Sequence, residues 1–259
     1  VVSDGDLPLL SLAECVATIR LRRPAQRNRL HDADLHALLA MFEQLDADLR
    51  VRVVVLSADT TGQRRPVFCA GYHVGGFDHE DHDPRLFERV ADGLERLRPL
   101  TVCALNGSVY GGATDLVLAC DLRVALAGSE WRMPAAALGL HYYPGGLRRY
   151  VSRLGLDGAK QAFLTGQALA VDSQALRGVF AAIEPAERFD DAVDARVRAV
   201  AALAPLAAQA TKQSLNEIAA GPFDLDRLRA REAMSIASAD FAEGRAAMAE
   251  KRAPRFEGR

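Results

Sequence analysis

Residues 101–121 read TVCALNGSVYGGATDLVLACD. Thr101 to Leu105 is a short apolar, strand-like run closed by the turn pair Asn106-Gly107. Gly111-Gly112 makes a second turn, from which Leu116 to Ala119 continues as a short helix, and Leu122 to Ala127 returns as a strand. Upstream, Val51 to Leu56 is a β-branched run too short for a helix and reads as a buried strand. Between these strands, Phe87, Val90, Leu94 and Leu97 recur at helical spacing up to Pro99. Alternating strands and helices predict an α/β fold.

Further out, Ala13 to Leu21 alternates around Cys15, Ala17 and Ile19 as a strand ending at Pro24. Leu35, Leu38, Leu39, Phe42 and Leu45 mark a helix with Asp32 or Asp34 available as its N-cap. From about Gly155 the chain turns Ala-rich and helical. Ala192 to Ala219 reads as two helices around Pro205, and Leu225 to Lys251 holds further helix. The division falls near residue 195, giving a core over 1–195 and a mainly helical part over 196–259.

The 259 residues suffice for a sizeable core, and 49% hydrophobic with 25% charged residues is a globular composition. A net charge of −2 and no basic stripe argue against a nucleic-acid partner. No apolar run reaches membrane-spanning length, and Val1 to Leu12 lacks the pattern of a secretory signal, so a cytoplasmic protein is expected. Cys15, Cys69, Cys103 and Cys120 are widely spaced and read as reduced core residues. His73, with His79, His82, Asp78, Glu80, Asp81 and Asp83 nearby, suggests a metal cluster, but the spacing matches no familiar ligand pattern and a solvated loop is the expectation.

Two glycine-bearing turns carry the chemical interest, Phe68-Cys69-Ala70-Gly71-Tyr72-His73 and Asn106 to Gly112. Small residues there admit a ligand close to the backbone, and a helix start aims N–H groups at it. Converging, such turns would form an oxyanion hole; apart, they are ordinary tight turns.

Three further stretches give these turns a context. Arg23 to Leu30 (RPAQRNRL) resembles the RPxxRNAL signature of the enoyl-CoA hydratase/isomerase, or crotonase, superfamily. FCAGYH resembles its FxAGxD segment, residues 101–121 its PxIAxxNGxAxGGGxELALxCD block, and GRAAMAEKRAPRF its C-terminal EGRxAFxEKRxPxF. The resemblance also runs through Pro134 to Gly146 and spans nearly the whole chain in order. It implies a spiral of ββα units with a C-terminal helical trimerisation region, a homotrimer or homohexamer, and a coenzyme A thioester as substrate with no bound cofactor. It puts the oxyanion amides on Tyr72 and Gly112. It also implies that Gln26, Arg27, Ala70, Tyr72, His73, Val74, Gly75 and Gly112 contact the CoA thioester.

The acids depart from the family pattern. Hydratase members use two glutamates that share a water, one accepting and one delivering a proton. Here the positions hold Asp115, one methylene shorter, and Ala135, which transfers no proton. Asp115 is read either as the remaining acid/base or as a structural carboxylate in the first turn of its helix. Tyr142 or Tyr143 could replace the missing acid. Tyr142 resembles the tyrosine that faces the departing carboxylate in a decarboxylating member of the superfamily, though a Tyr pair also serves packing. His141, on the same segment, is a proton shuttle or an exposed loop residue.

The expected function is hydration of a trans-2-enoyl-CoA with Asp115 as acid/base. The alternatives are Tyr142-assisted decarboxylation of a malonyl-type CoA, which needs charge stabilisation more than a base, and a catalytically inert CoA-binding module. RNA binding, with precedent in the superfamily, is disfavoured by the charge.

Overall fold

The computed structural model describes residues 7–73, 75 and 83–259. Its larger sheet has six strands: β1 (Leu9–Ala13), β2 (Val16–Leu21), β3 (Val53–Ala58), β5 (Leu100–Leu105), β7 (Leu122–Leu126) and β10 (Ala182–Glu184), in that spatial order. The smaller has β4 (Val67–Cys69), β6 (Ser108–Tyr110), β8 (Glu130–Arg132) and β9 (Leu169–Ala170). The β1–β2 and β8–β9 pairs are antiparallel and the rest parallel. Where the alternation around Cys15 predicts one strand from Ala13, the chain makes a hairpin. Glu14, at φ 54°, turns it so that Ala13 ends one strand and Val16 begins the next.

The chain advances by repeating one unit. A strand of the large sheet is followed by a strand of the small sheet and then a helix. The units are β3–β4–α2 (Leu86–Arg96), β5–β6–α3 (Ala113–Ala119) and β7–β8–α4 (Pro144–Thr165). This is the ββα spiral that the sequence implies. Parallel neighbours demand such crossovers, and strands buried on both faces are the result. In β3, Val54 and Leu56 face the main core while Val53 and Val55 face a second one. That period-two split explains an uninterrupted apolar run. The second core is closed by α5 (Ala186–Ala201), whose Phe189, Val193, Val197 and Val200 lie at helical spacing. Residue 195 therefore lies inside a helix that packs on the sheet, and the chain leaves the core only beyond α5.

Helix α1 (Asp32–Ala47) is capped one residue before the first of the acids proposed as its cap. His31 is the N-cap, Asp34 accepts the His31 N–H at 2.8 Å, and Asp32 begins the helix. The C-terminal part comprises α6 (Pro205–Ala220), α7 (Leu225–Ile236) and α8 (Ala239–Glu250). Lys212 ties α6 to the core, donating to the Pro99 carbonyl at 2.9 Å and pairing with Asp121 at 2.8 Å. All four cysteines are free, and no helix among the described residues is long and apolar enough to cross a membrane.

Candidate active site

Strands β4 and β6 are parallel neighbours, so their C-terminal ends deliver the two glycine turns to the same place. Gly71 has φ 93°, and a Cβ there would stand 2.8 Å from the Tyr110 carbonyl oxygen and 3.5 Å from the Gly111 Cα. Only glycine permits that approach. Gly112 leads into α3 as its N-cap, while the Gly111 N–H is taken by the Arg132 carbonyl at 2.9 Å.

The Arg23 to Leu30 segment is laced onto the first turn. Ala70 donates to the Arg27 carbonyl at 2.8 Å, Leu30 to Gly71 at 2.9 Å, and His73 to Leu30 at 2.8 Å. Arg27 and Asn28 both adopt positive φ, a conformation that Asn tolerates better than most residues. The buried Asn28 side chain pins the turn by donating to the Asp59 and Val67 carbonyls at 2.8 and 3.2 Å. Gln26, Arg27, Ala70, Tyr72, His73 and Gly112 thus come from adjoining segments. Gly75 follows on the same chain segment. Val74 lies outside the described residues, as do Asp78, His79, Glu80, Asp81 and His82. No group of three or more His, Cys, Asp or Glu side chains that could hold a metal occurs among the described residues.

The two turns open onto a cavity of about 490 Å³. Its remaining walls include Leu35 of α1, Asp83 and Pro84, Leu86 and Phe87 of α2, and residues between Met133 and Pro144. Ala135 faces this cavity and is 4% exposed, so the second acid position is apolar in space as well as in sequence.

Asp115 is not among the residues that line the cavity, an arrangement that fits the second of its two readings, a structural carboxylate in the first turn of its helix. It is fully buried in the first turn of α3. Arg149 of α4 grips it with two bonds, Nε to Oδ1 at 2.8 Å and Nη2 to Oδ2 at 2.7 Å. The Tyr143 hydroxyl, which does line the cavity, donates to Oδ2 at 2.6 Å, and Tyr142 donates to Tyr143 at 3.0 Å. Arg149 also holds Asp92 at 2.7 Å and Glu95 at 3.2 Å.

The electrostatics follow from this packing. Burial opposes charge on Arg149, but its bonds to Asp115 and Asp92 and the nearby Glu95 outweigh that, and its pKa is raised. Burial, then the proximity of Asp115, pushes the Tyr142 phenol well above its ordinary range. Tyr143 moves the same way, through burial first and then Tyr142 and Asp115. Tyr72 is raised by burial and by its 2.6 Å bond to Asp32. The phenols keep their protons and act as donors.

Periodicity places Phe87 on the apolar face of a helix without giving it a place in the site, and composition and periodicity do not reveal Arg149, Asp92 or Glu95. The nearest signal is the pair Asp92 and Glu95, three apart on the face of α2 that turns inward. Their partner lies more than 50 residues away.

Against known proteins, the profile of the enoyl-CoA hydratase/isomerase family matches residues 12–259. The chain belongs to this family. Among relatives, enoyl-CoA hydratase domain-containing protein 2, mitochondrial, of Bos taurus is 32% identical over 94% of this chain and 84% of its own length. The 2,3-dehydroadipyl-CoA hydratase of Escherichia coli K12 is 28% identical, covering 97% and 98%. A solved structure of an enoyl-CoA hydratase/isomerase family protein from Hyphomonas neptunium superposes with a TM-score of 0.87 at 25% identity, over 97% and 98% of the two chains. As a member of the enoyl-CoA hydratase/isomerase family, the protein is an acyl-CoA-processing enzyme with the crotonase fold. Its Asp115 and Ala135 are where it parts from the two-glutamate pattern.

Proposed function

We propose that the protein decarboxylates a malonyl-type acyl-CoA through a thioester enolate. The bond from Cα to the carboxylate breaks, carbon dioxide leaves, and the electron pair enters an enolate whose oxygen is held by the main-chain N–H groups of Tyr72 and Gly112. Cα then takes the Tyr142 hydroxyl proton, and Tyr143 and solvent restore it. One observation carries this choice. The carboxylate that water activation would need is buried behind Tyr143 and held by Arg149, so protonated phenols face the acyl cavity. Decarboxylation needs stabilisation of developing charge and a proton donor, and no base. In support of the oxyanion role, the Gly112 N–H meets no acceptor among the described residues.

Hydration is the second reading, favoured by the names of the relatives and opposed by Ala135 and by the enclosure of Asp115. In either case Asp115 and Arg149 position the tyrosine pair, and Gln26, Arg27, Ala70, Tyr72, His73, Gly75 and Gly112 lie along the CoA portion. The CoA is substrate, and no other cofactor is proposed. Exposed Leu215, Ile218, Phe223, Leu225, Met234 and Ile236 on the C-terminal helices and the turn between α6 and α7 support self-association as a homotrimer or homohexamer.

The test is product mass from methylmalonyl-CoA and from crotonyl-CoA. Loss of carbon dioxide from the first, with no water added to the second, is expected. Tyr142→Phe should lower kcat about 100-fold with little change in KM. Hydration of crotonyl-CoA without decarboxylation would establish the second reading, and binding without turnover of either would establish the inert module.

A further inference from the structure

The cavity wall next to the Gly112 turn is aromatic. The Phe87 ring sits so close that a Cβ on Gly112 would lie 2.8 Å from its tip. Phe87 meets Tyr72 edge-on, with centroids 6.1 Å apart and planes at 66°. On its other side it meets Tyr143 at 6.4 Å and 43°. Tyr143 in turn stacks on Tyr142 at 4.2 Å. The rest of that wall includes Met133, Ala135, Leu138 and Leu140, with the exposed His141 at its edge. No Lys or Arg lines the cavity among the described residues, and Asp83 at its margin is paired with Arg89.

We infer that the acyl group this enzyme takes carries a flat aromatic ring close to the thioester and no charge at its far end. The inference rests on reading this cavity as the acyl site and names the class of substrate for it. Rings tilted against one another offer an incoming ring both faces and edges, and aromatic pairs favour offset-stacked and edge-to-face contacts over aliphatic ones of equal area. A straight alkyl chain gains only the burial of its surface there. A cavity of about 490 Å³ is also far larger than a four-carbon acyl chain fills. A carboxylate at the distal end would be desolvated with no Lys or Arg side chain of the lining to pair with.

Equilibrium binding by titration calorimetry tests this apart from turnover, using free CoA and the unreactive thioesters butyryl-, hexanoyl-, cyclohexylacetyl- and phenylacetyl-CoA. Phenylacetyl-CoA should bind about tenfold more tightly than cyclohexylacetyl-CoA, which matches it in size without being aromatic. Both should bind more tightly than butyryl-CoA. Phe87→Leu, shown to be folded by its thermal melt, should erase the difference between the two rings. Equal affinity for the two rings in the native protein, or tightest binding of a straight chain, overturns the inference. Equal affinity of every thioester and free CoA overturns instead the assignment of the cavity to the acyl group, and does so whichever reaction is catalysed.

Discussion

Arg149 is fully buried and holds three carboxylates, Asp115, Asp92 and Glu95, from two helices. Such a charge is tolerable only while its partners remain, because removing one leaves ionic groups desolvated and short of hydrogen bonds. Asp115→Ala should therefore lower stability by about 3–5 kcal/mol, read from urea denaturation, and should free the Tyr143 hydroxyl. A free acid/base would behave differently, losing activity with an unchanged unfolding midpoint, and that result would overturn the positioning role. The residue type at position 115 is legible in the chain, and its chemistry is not. One carboxylate symbol serves for a solvated base and for a clamped anion, and only the arrival of α4 across the helix decides between them.

At the level of elements, the site exists because β4 and β6 are adjacent and parallel. Each ends in a bend, and the bends touch through Gly71 and Gly111. Gly71→Ala adds a methyl group 2.8 Å from the Tyr110 oxygen, at a φ that a side chain resists. The bends must then part. Because displacements of about 1 Å can cost 10²-fold in rate, turnover should fall on that order. Steady-state kinetics on a variant that retains its circular dichroism spectrum checks this, and unimpaired turnover would mean that the bends do not act together. Glycine spacing and strand-like runs make these turns visible in the sequence. Their contact is a product of sheet order, which no local pattern encodes. The hairpin at Glu14 and the His31 cap show the same limit on a smaller scale, since each is set by the partner strand or side chain that the segment meets.

For the whole molecule, α6 is anchored to the ββα spiral by Lys212 and Asn216, while apolar side chains of α6 and α7 stay exposed. Apolar groups exposed together in one region are a signature of association. Light scattering after size-exclusion chromatography should give three or six times the 28.0 kDa chain mass, and a monomer at micromolar concentration would refute the assembly. Strand and helix periods, turn glycines and four ordered motifs determined the fold and the family, because burial on one face or two leaves its period in the residues themselves. Tertiary structure alone decided that Tyr143 shields Asp115, that Arg149 clamps it, and that Phe87 walls the cavity. Those contacts join groups from 15 positions apart (Tyr72 and Phe87) to 56 (Phe87 and Tyr143), and their energies come from burial and charge pairing that exist only once the layers have closed.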